Sequence, residues 1–166
     1  MVNVDKIITI SIFGNRFVPR MEDARKDLYN YLKLKVKDNN VRILVGTHGD
    51  YDRLALGVCK QLQREYSNIH ISLVFTSQKF LIKEMQMDEF TGYYKGVETM
   101  IYDIEEIYYK RQIVVSNQKM VDDSDEVVVY NRGNNSYYSG TNRVIKYAKK
   151  QNKPIINLFN EKVLNQ

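Results

Sequence analysis

The stretch Ile7-Ile8-Thr9-Ile10-Ser11-Ile12-Phe13, closed by Gly14-Asn15-Arg16, decides the fold. Its apolar residues are β-branched and nearly continuous, and the run stops at a glycine. A strand buried on both faces of a parallel sheet reads this way, followed by a tight turn. Downstream, Leu28, Tyr31, Leu32, Lys35 and Val36 recur at spacings of three and four. That spacing predicts an amphipathic helix over about 22–37, and Asp38-Asn39-Asn40 breaks it. Arg42-Ile43-Leu44-Val45 repeats the first pattern as a short buried strand, running into Gly46-Thr47-His48-Gly49-Asp50.

The alternation continues to the end of the chain. Leu54, Ala55, Val58, Cys59 and Leu62 form the apolar stripe of a helix ending near Tyr66, and 69–75 is a third strand. The segment 79–96, with Phe80, Leu81, Met85 and Met87, reads either as a helix or as a flap over a site. Beyond it, 99–102 reads as a short strand, 104–121 mostly as helix and 126–130 as a strand. Residues 142–150 read as a helix and 154–158 as the last strand. Strand, glycine turn, helix, strand is the pattern of right-handed βαβ crossovers. The expected fold is therefore α/β: one Rossmann-like, doubly wound domain over 1–166, with a mainly parallel sheet and helices on both faces.

Composition bounds the rest. Two domains in 166 residues would leave each with little core. Apolar residues at 43% and charged residues at 27% exclude a disordered chain. Lys plus Arg is 25 and Asp plus Glu is 20, so 25 − 20 gives +5. With a pI near 9.1, that excess permits phosphate contacts but falls short of a dedicated nucleic-acid binder. The single Cys59 excludes an internal disulfide framework and a multi-cysteine zinc site. No apolar run approaches the roughly 20 residues that span a bilayer. The start, Met1-Val2-Asn3-Val4-Asp5-Lys6, carries no secretory pattern, so a cytoplasmic location is expected. Abundant Asn, Lys, Ile and Tyr suit the A+T-rich codons of a low-G+C bacterium or one of its phages.

In doubly wound sheets, ligands bind outside the carboxyl ends of the strands, at the topological switch point. Three strand ends here carry unusual residues: Gly14-Asn15-Arg16; Gly46 to Arg53; and Tyr130-Asn131-Arg132-Gly133 followed by Ser139-Gly140-Thr141-Asn142. Small residues let backbone approach a ligand, and helix N-termini present free N–H groups to an anion. The forecast is a nucleotide or related phosphate-bearing ligand. Each piece also has a plain structural reading. Gly14 and Gly46 can be turn glycines, Asp52 a helix cap, His48 a loop histidine, and Thr141 or Asn142 a cap of the last helix.

Other chemistries find no support. There is no G-x-S-x-G elbow and no GxxxxGK[ST] loop. His48 and His70 lack companions at metal spacing, so neither a metal nor a cofactor is expected. The acidic run Asp122-Asp123-Ser124-Asp125-Glu126 reads as a solvated helix end, with Mg²⁺ binding as the alternative. Thirteen Tyr against six Phe is a skewed ratio. A buried hydroxyl needs a partner, so some tyrosines belong at a rim, a ligand site or a subunit interface, and a homo-oligomer is expected.

The run Ser11-Ile12-Phe13-Gly14-Asn15-Arg16 resembles the Phe-Gly-His-Arg opening of small single-domain bacterial and phage proteins of the SLOG superfamily. That superfamily joins the DNA-processing SMF/DprA proteins to the LOG phosphoribohydrolases. Similar matches run through Leu44 to Ala55, Ser116 to Asp125, and Ser139-Gly140-Thr141-Asn142 onward to Ile155-Ile156-Asn157-Leu158. The resemblance spans nearly the whole chain. It implies a nucleotide-type ligand touching Gly14, Asn15, Arg16, Gly46, His48, Gly49, Asp52, Arg53, Asn117, Tyr130, Asn131, Ser139, Gly140, Thr141 and Asn142. Arg16 would meet phosphate and Asn117 the ribose or base, with Ser116 standing where the family carries arginine. Two departures stand out. Asn15 replaces the opening histidine, and of the LOG stretch Pro-Gly-Gly-x-Gly-Thr-x-x-Glu only Gly140-Thr141 survives, with Val144 at the glutamate position. Val144 cannot act as an acid or base.

The leading expectation is thus binding of a small nucleotide or nucleotide-derived ligand, to sense or sequester it. The alternative is N-glycosidic hydrolysis or transfer, using a carboxylate elsewhere such as Asp52 or Asp50. A third reading is single-stranded DNA binding through Lys146, Lys149, Lys150 and Lys153. Those lysines equally suit the dipole at a helix C-terminus.

Overall fold

A computed structural model describes residues 3–133 and 140–159. In chain order the elements are β1 (Asn3–Gly14), α1 (Met21–Asp38), β2 (Asn39–Val45), α2 (Asp50–Glu65), β3 (Ile69–Phe75) and α3 (Gln78–Thr91). They continue with β4 (Glu98–Ile101), α4 (Tyr109–Asp122), β5 (Glu126–Tyr130), α5 (Gly140–Lys150) and β6 (Ile155–Asn157). The six strands form one sheet in the order β4-β3-β2-β1-β5-β6, and every pairing is parallel. The chain winds outward from β1 to β4, then returns to lay β5 on the other side of β1. Ile12 is thereby level with Val45 of β2 and with Val128 of β5. The crevice between β1 and β5 is the switch point of a Rossmann-like fold.

From Ile10 to Phe13 the apolar run of β1 is explained by burial on both faces, whereas Ile7 at its start is exposed. Ile10 and Ile12 point into a core shared with Leu28, Leu32 and Val36 of α1 and Leu54, Val58 and Leu62 of α2. Phe13 points the other way, into a second core with Met120 and Val121 of α4 and Val144 and Ala148 of α5. Leu28, Leu32 and Leu62 are fully buried, so truncating any of them to Ala would cost about 2–5 kcal/mol.

Strands β1 and β2 begin earlier than expected, at Asn3 and Asn39, and three helices sharpen or change the sequence reading. The helix expected over 104–121 begins only at Tyr109. Ile104 is buried and anchors the preceding turn, so its apolar spacing continues across a break in the helix. The Ile107 N–H and the Gln112 side chain both donate to the Ile104 carbonyl. The segment read as helix or flap is the helix α3, capped by Ser77 and closed by Gly92 in the left-handed region. None of its residues is buried, which is why its apolar residues form no single stripe. Last, α5 starts at Gly140, two residues earlier than expected. No helix among the described residues is long and apolar enough to cross a membrane.

Candidate functional site

A cleft of about 680 Å³ opens at the carboxyl ends of the central strands. Gly14, Gly46 and Thr76, at the tips of β1, β2 and β3, line one wall, and residues of α4 and α5 line the other. Gly14, Gly46 and Gly140 thus meet in one cavity, as strand-end turns on the same sheet edge should. Phe13, Val74, Met120, Val121 and Val144 give it an apolar floor.

Two glycines shape the rim. A Cβ on Gly14 would lie 2.2 Å from the Tyr51 ring, so the bare backbone lets Tyr51 pass beneath the strand end. There Tyr51 stacks on Tyr130 with ring centroids 4.9 Å apart. Gly49 caps α2 at φ +100, a conformation L side chains rarely adopt, and a Cβ there would sit 2.7 Å from the Arg16 backbone. This close approach lets the Asp50 N–H donate to the Arg16 carbonyl at 2.8 Å. The Asp50 carboxylate in turn accepts the Val18 N–H at 3.0 Å. The loop carrying Arg16 is therefore fastened to the start of α2.

Asp52 is the one carboxylate lining the cleft among the described residues. It reaches back from the first turn of α2 to accept the His48 N–H at 2.8 Å, one residue before the Gly49 N-cap. Burial raises its pKa to about 7, against the lowering effects of that hydrogen bond and of Arg53 and Arg16. His48 Nε2 lies 3.2 Å from the Thr76 hydroxyl. Burial, then the nearby Arg16, lowers the His48 pKa and favours the neutral ring.

Cations dominate the rest of the rim: Arg16, Lys110, Arg132 and Arg143 all line the cleft. None of them forms an ion pair among the described residues. The acidic residues near Arg16 in sequence are engaged elsewhere, Asp23 with Arg20 and Glu22 with Arg25. Asn15 Oδ1 accepts the Arg132 N–H at 3.0 Å, tying the β1 and β5 tips together. On α4, beside Asn117, the Ser116 hydroxyl is buried without a hydrogen-bond partner among the described residues. An orphaned buried hydroxyl costs about 1–3 kcal/mol until something satisfies it.

Of the residues anticipated from sequence, Gly14, Asn15, Arg16, Gly46, His48, Asp52, Asn117, Gly140 and Thr141 line this cavity. Arg53 does not; it is captured by Asp50 at 2.8 Å, one turn away on the exposed side of α2. Gly49 acts beneath the rim, as described. Tyr130 turns its ring to Tyr51 and Phe159 on the opposite face of the sheet. Asn131 donates to Asn142 at 2.8 Å in a separate hollow over β5 and β6. Ser139 lies outside the described residues. Sequence reasoning missed Lys110, Arg143, Phe17 and Thr76. The only available signal for Lys110 and Arg143 was a cation in the first turn of a helix.

Among the described residues, the acidic run included, no group of three or more His, Cys, Asp or Glu is placed to hold a metal ion. The run's carboxylates hold other parts of the fold instead. Lys153, one of the lysines considered for DNA, donates to the Ser124 carbonyl at 2.8 Å. In comparisons with known proteins, no family model matches the chain and no curated protein is similar to it.

Proposed function

We propose that the protein binds a small nucleotide or nucleotide-derived ligand in this cleft, sensing or sequestering it. The observation that carries the reading is one cavity at the switch point joining Arg16, which forms no ion pair among the described residues, to an apolar floor. Such a site suits a molecule with a phosphate at one end and a flat heterocycle at the other. The planar guanidinium fork matches phosphate oxygens, and Ser116 and Asn117 offer hydrogen bonds to ribose or base. The resemblance to SLOG proteins points to the same ligand class. A thermal-shift panel of nucleotides, cyclic nucleotides and nicotinamide dinucleotides tests it. A ligand at 100 times its dissociation constant adds about 2.7 kcal/mol to stability. No shift with any member of the panel overturns the reading.

One observation favours a second reading, cleavage of an N-glycosidic bond. Of the two carboxylates considered for that chemistry, Asp50 is tied to Val18 and Arg53, whereas Asp52 faces the cavity. Its raised pKa suits an acid or base near neutral pH. Incubation with nucleoside monophosphates and a search for free base separates this reading from simple binding.

A further inference from the structure

Resting on the reading of the cleft as a nucleotide site, we propose that its ligand presents two linked phosphates, one to Arg16 and Arg132 and the other to Lys110 and Arg143. The four cations fall into two sets by their place in the fold. Arg16 and Arg132 follow the tips of adjacent strands, β1 and β5, and Asn15 bridges their loops. Lys110 and Arg143 sit in the first turns of α4 and α5, across the cleft from those loops.

The second set is what a single phosphate leaves unexplained. A helix N-terminus carries partial positive charge and favours acidic residues, so cations there are locally unfavourable. The helices α1 and α2 obey the rule, opening with Glu22 and Asp23 and with Asp50 and Asp52. In contrast, α4 and α5 have no acidic residue in the first turn, and the N-cap of α4 makes no side-chain hydrogen bond. Both place a cation facing the cleft instead. The helix α3 also opens without an acid, but Ser77 caps it and none of its residues lines the cleft. A local rule broken at two converging helix starts, with neither cation in an ion pair among the described residues, marks a place completed by an anion.

Ser116 supplies independent evidence of an occupant. It lies six residues beyond Lys110 on α4, about 9 Å further along the helix axis. The residue lines the cavity, and its hydroxyl is buried with no hydrogen-bond partner among the described residues. The cavity therefore has a cationic mouth and a polar contact deep on the α4 side. A pyrophosphate at the mouth with the nucleoside directed toward Ser116 satisfies both.

The test is calorimetric titration of the full chain with adenosine monophosphate, adenosine diphosphate, inorganic phosphate and inorganic pyrophosphate. Each is repeated on the Lys110→Ala/Arg143→Ala double variant, whose altered side chains are exposed. The expected result is a preference of at least tenfold, about 1.4 kcal/mol, for each diphosphate over its monophosphate. In the double variant that preference should fall to less than twofold. A native preference near one overturns the proposal, as does a preference that survives in the double variant. Pyrophosphate bound tightly while no nucleotide outperforms it supports two anion subsites and overturns the nucleotide reading. Binding of none of the four overturns both.

Discussion

The turn from α4 into β5 and the cleft are the two places where charges of one sign gather, and they treat those charges in opposite ways. In the turn, every carboxylate has a partner. Asp122 accepts from the Tyr147 hydroxyl at 2.8 Å, Asp123 from Tyr102 at 2.6 Å, and Asp125 from the Thr9 N–H at 2.9 Å. Glu126 meets Lys35 at 3.0 Å and also accepts from Tyr31. In the cleft, Arg16, Lys110, Arg132 and Arg143 form no ion pair among the described residues, and Arg16 acts on the Asp52 carboxylate only through its field. Charge engaged within the fold contributes to stability, whereas charge left over at a cavity is available to a ligand. The comparison therefore predicts which substitutions alter melting and which alter binding.

The largest effect should come from the turn. The Glu126 side chain is only 13% exposed, so Glu126→Ala removes a charge-assisted hydrogen bond and an ion pair from a sheltered position. The expected loss is about 2 kcal/mol of stability. For a chain of this size that lowers the melting temperature by about 4–8 °C. Glu126→Gln, which keeps an acceptor for Tyr31, should lose less. Nucleotide affinity should not move in either variant; a weakened titration would break the separation between the two regions.

Arg16→Ala should do the reverse. Binding in the nucleotide panel should weaken at least tenfold, about 1.4 kcal/mol, while the melting temperature stays within about 1 °C. A melting loss as large as that of Glu126→Ala would place Arg16 with the structural charges.

Asp52 belongs to both categories, and pH separates its contributions. With its folded pKa raised to about 7 from an ordinary 3.8, the folded state holds a proton that the unfolded chain releases. Stability from this group is complete below about pH 4 and is lost as pH rises toward 7. Asp52→Asn retains an acceptor for the His48 N–H and does not ionise. Thermal melts should show the variant more stable than the native chain at pH 8, by about 1 kcal/mol for this partly buried group, and level with it near pH 4. Equal pH profiles for the two proteins would contradict the assignment.

The strands were legible in the sequence because burial on both faces leaves little room for polar residues, as Ile10 to Phe13 shows, although Ile7 in the same apolar run is exposed. The helix α1 was legible from spacing alone. The start of α4 was not, because Ile104 is apolar for the sake of its loop and extends the helical pattern falsely. At the site, residues adjacent to strand tips could be anticipated, since topology carries them to one edge. Which arginine turns inward could not: Arg53 and Arg132 look alike until Asp50 is seen to capture the first. Lys110 and Arg143 resemble any solvated helix face, and only the return of the chain to β5 brings them opposite Arg16. Tyr130 was expected at the ligand, but the gap left by Gly14 draws its ring to Tyr51 instead.

Tyr147 touches both regions and gives the smallest but sharpest discrimination. Its ring lines the cleft while its hydroxyl donates to Asp122 at 2.8 Å. Asp122 is also the first cause of the raised Tyr147 pKa, through that hydrogen bond. Tyr147→Phe keeps the ring and removes only the donor. Because the bond is exposed, water replaces it in part, and the expected loss is about 0.5 kcal/mol. That corresponds to a melting shift of about 1–2 °C. If the hydroxyl serves Asp122 alone, the affinity for adenosine diphosphate should change by less than twofold. Weakening by tenfold or more with no melting shift would mean that the hydroxyl leaves Asp122 for the ligand when the cleft is filled. The acidic turn would then be coupled to the site through this one side chain, and the two regions would have to be treated as a single network.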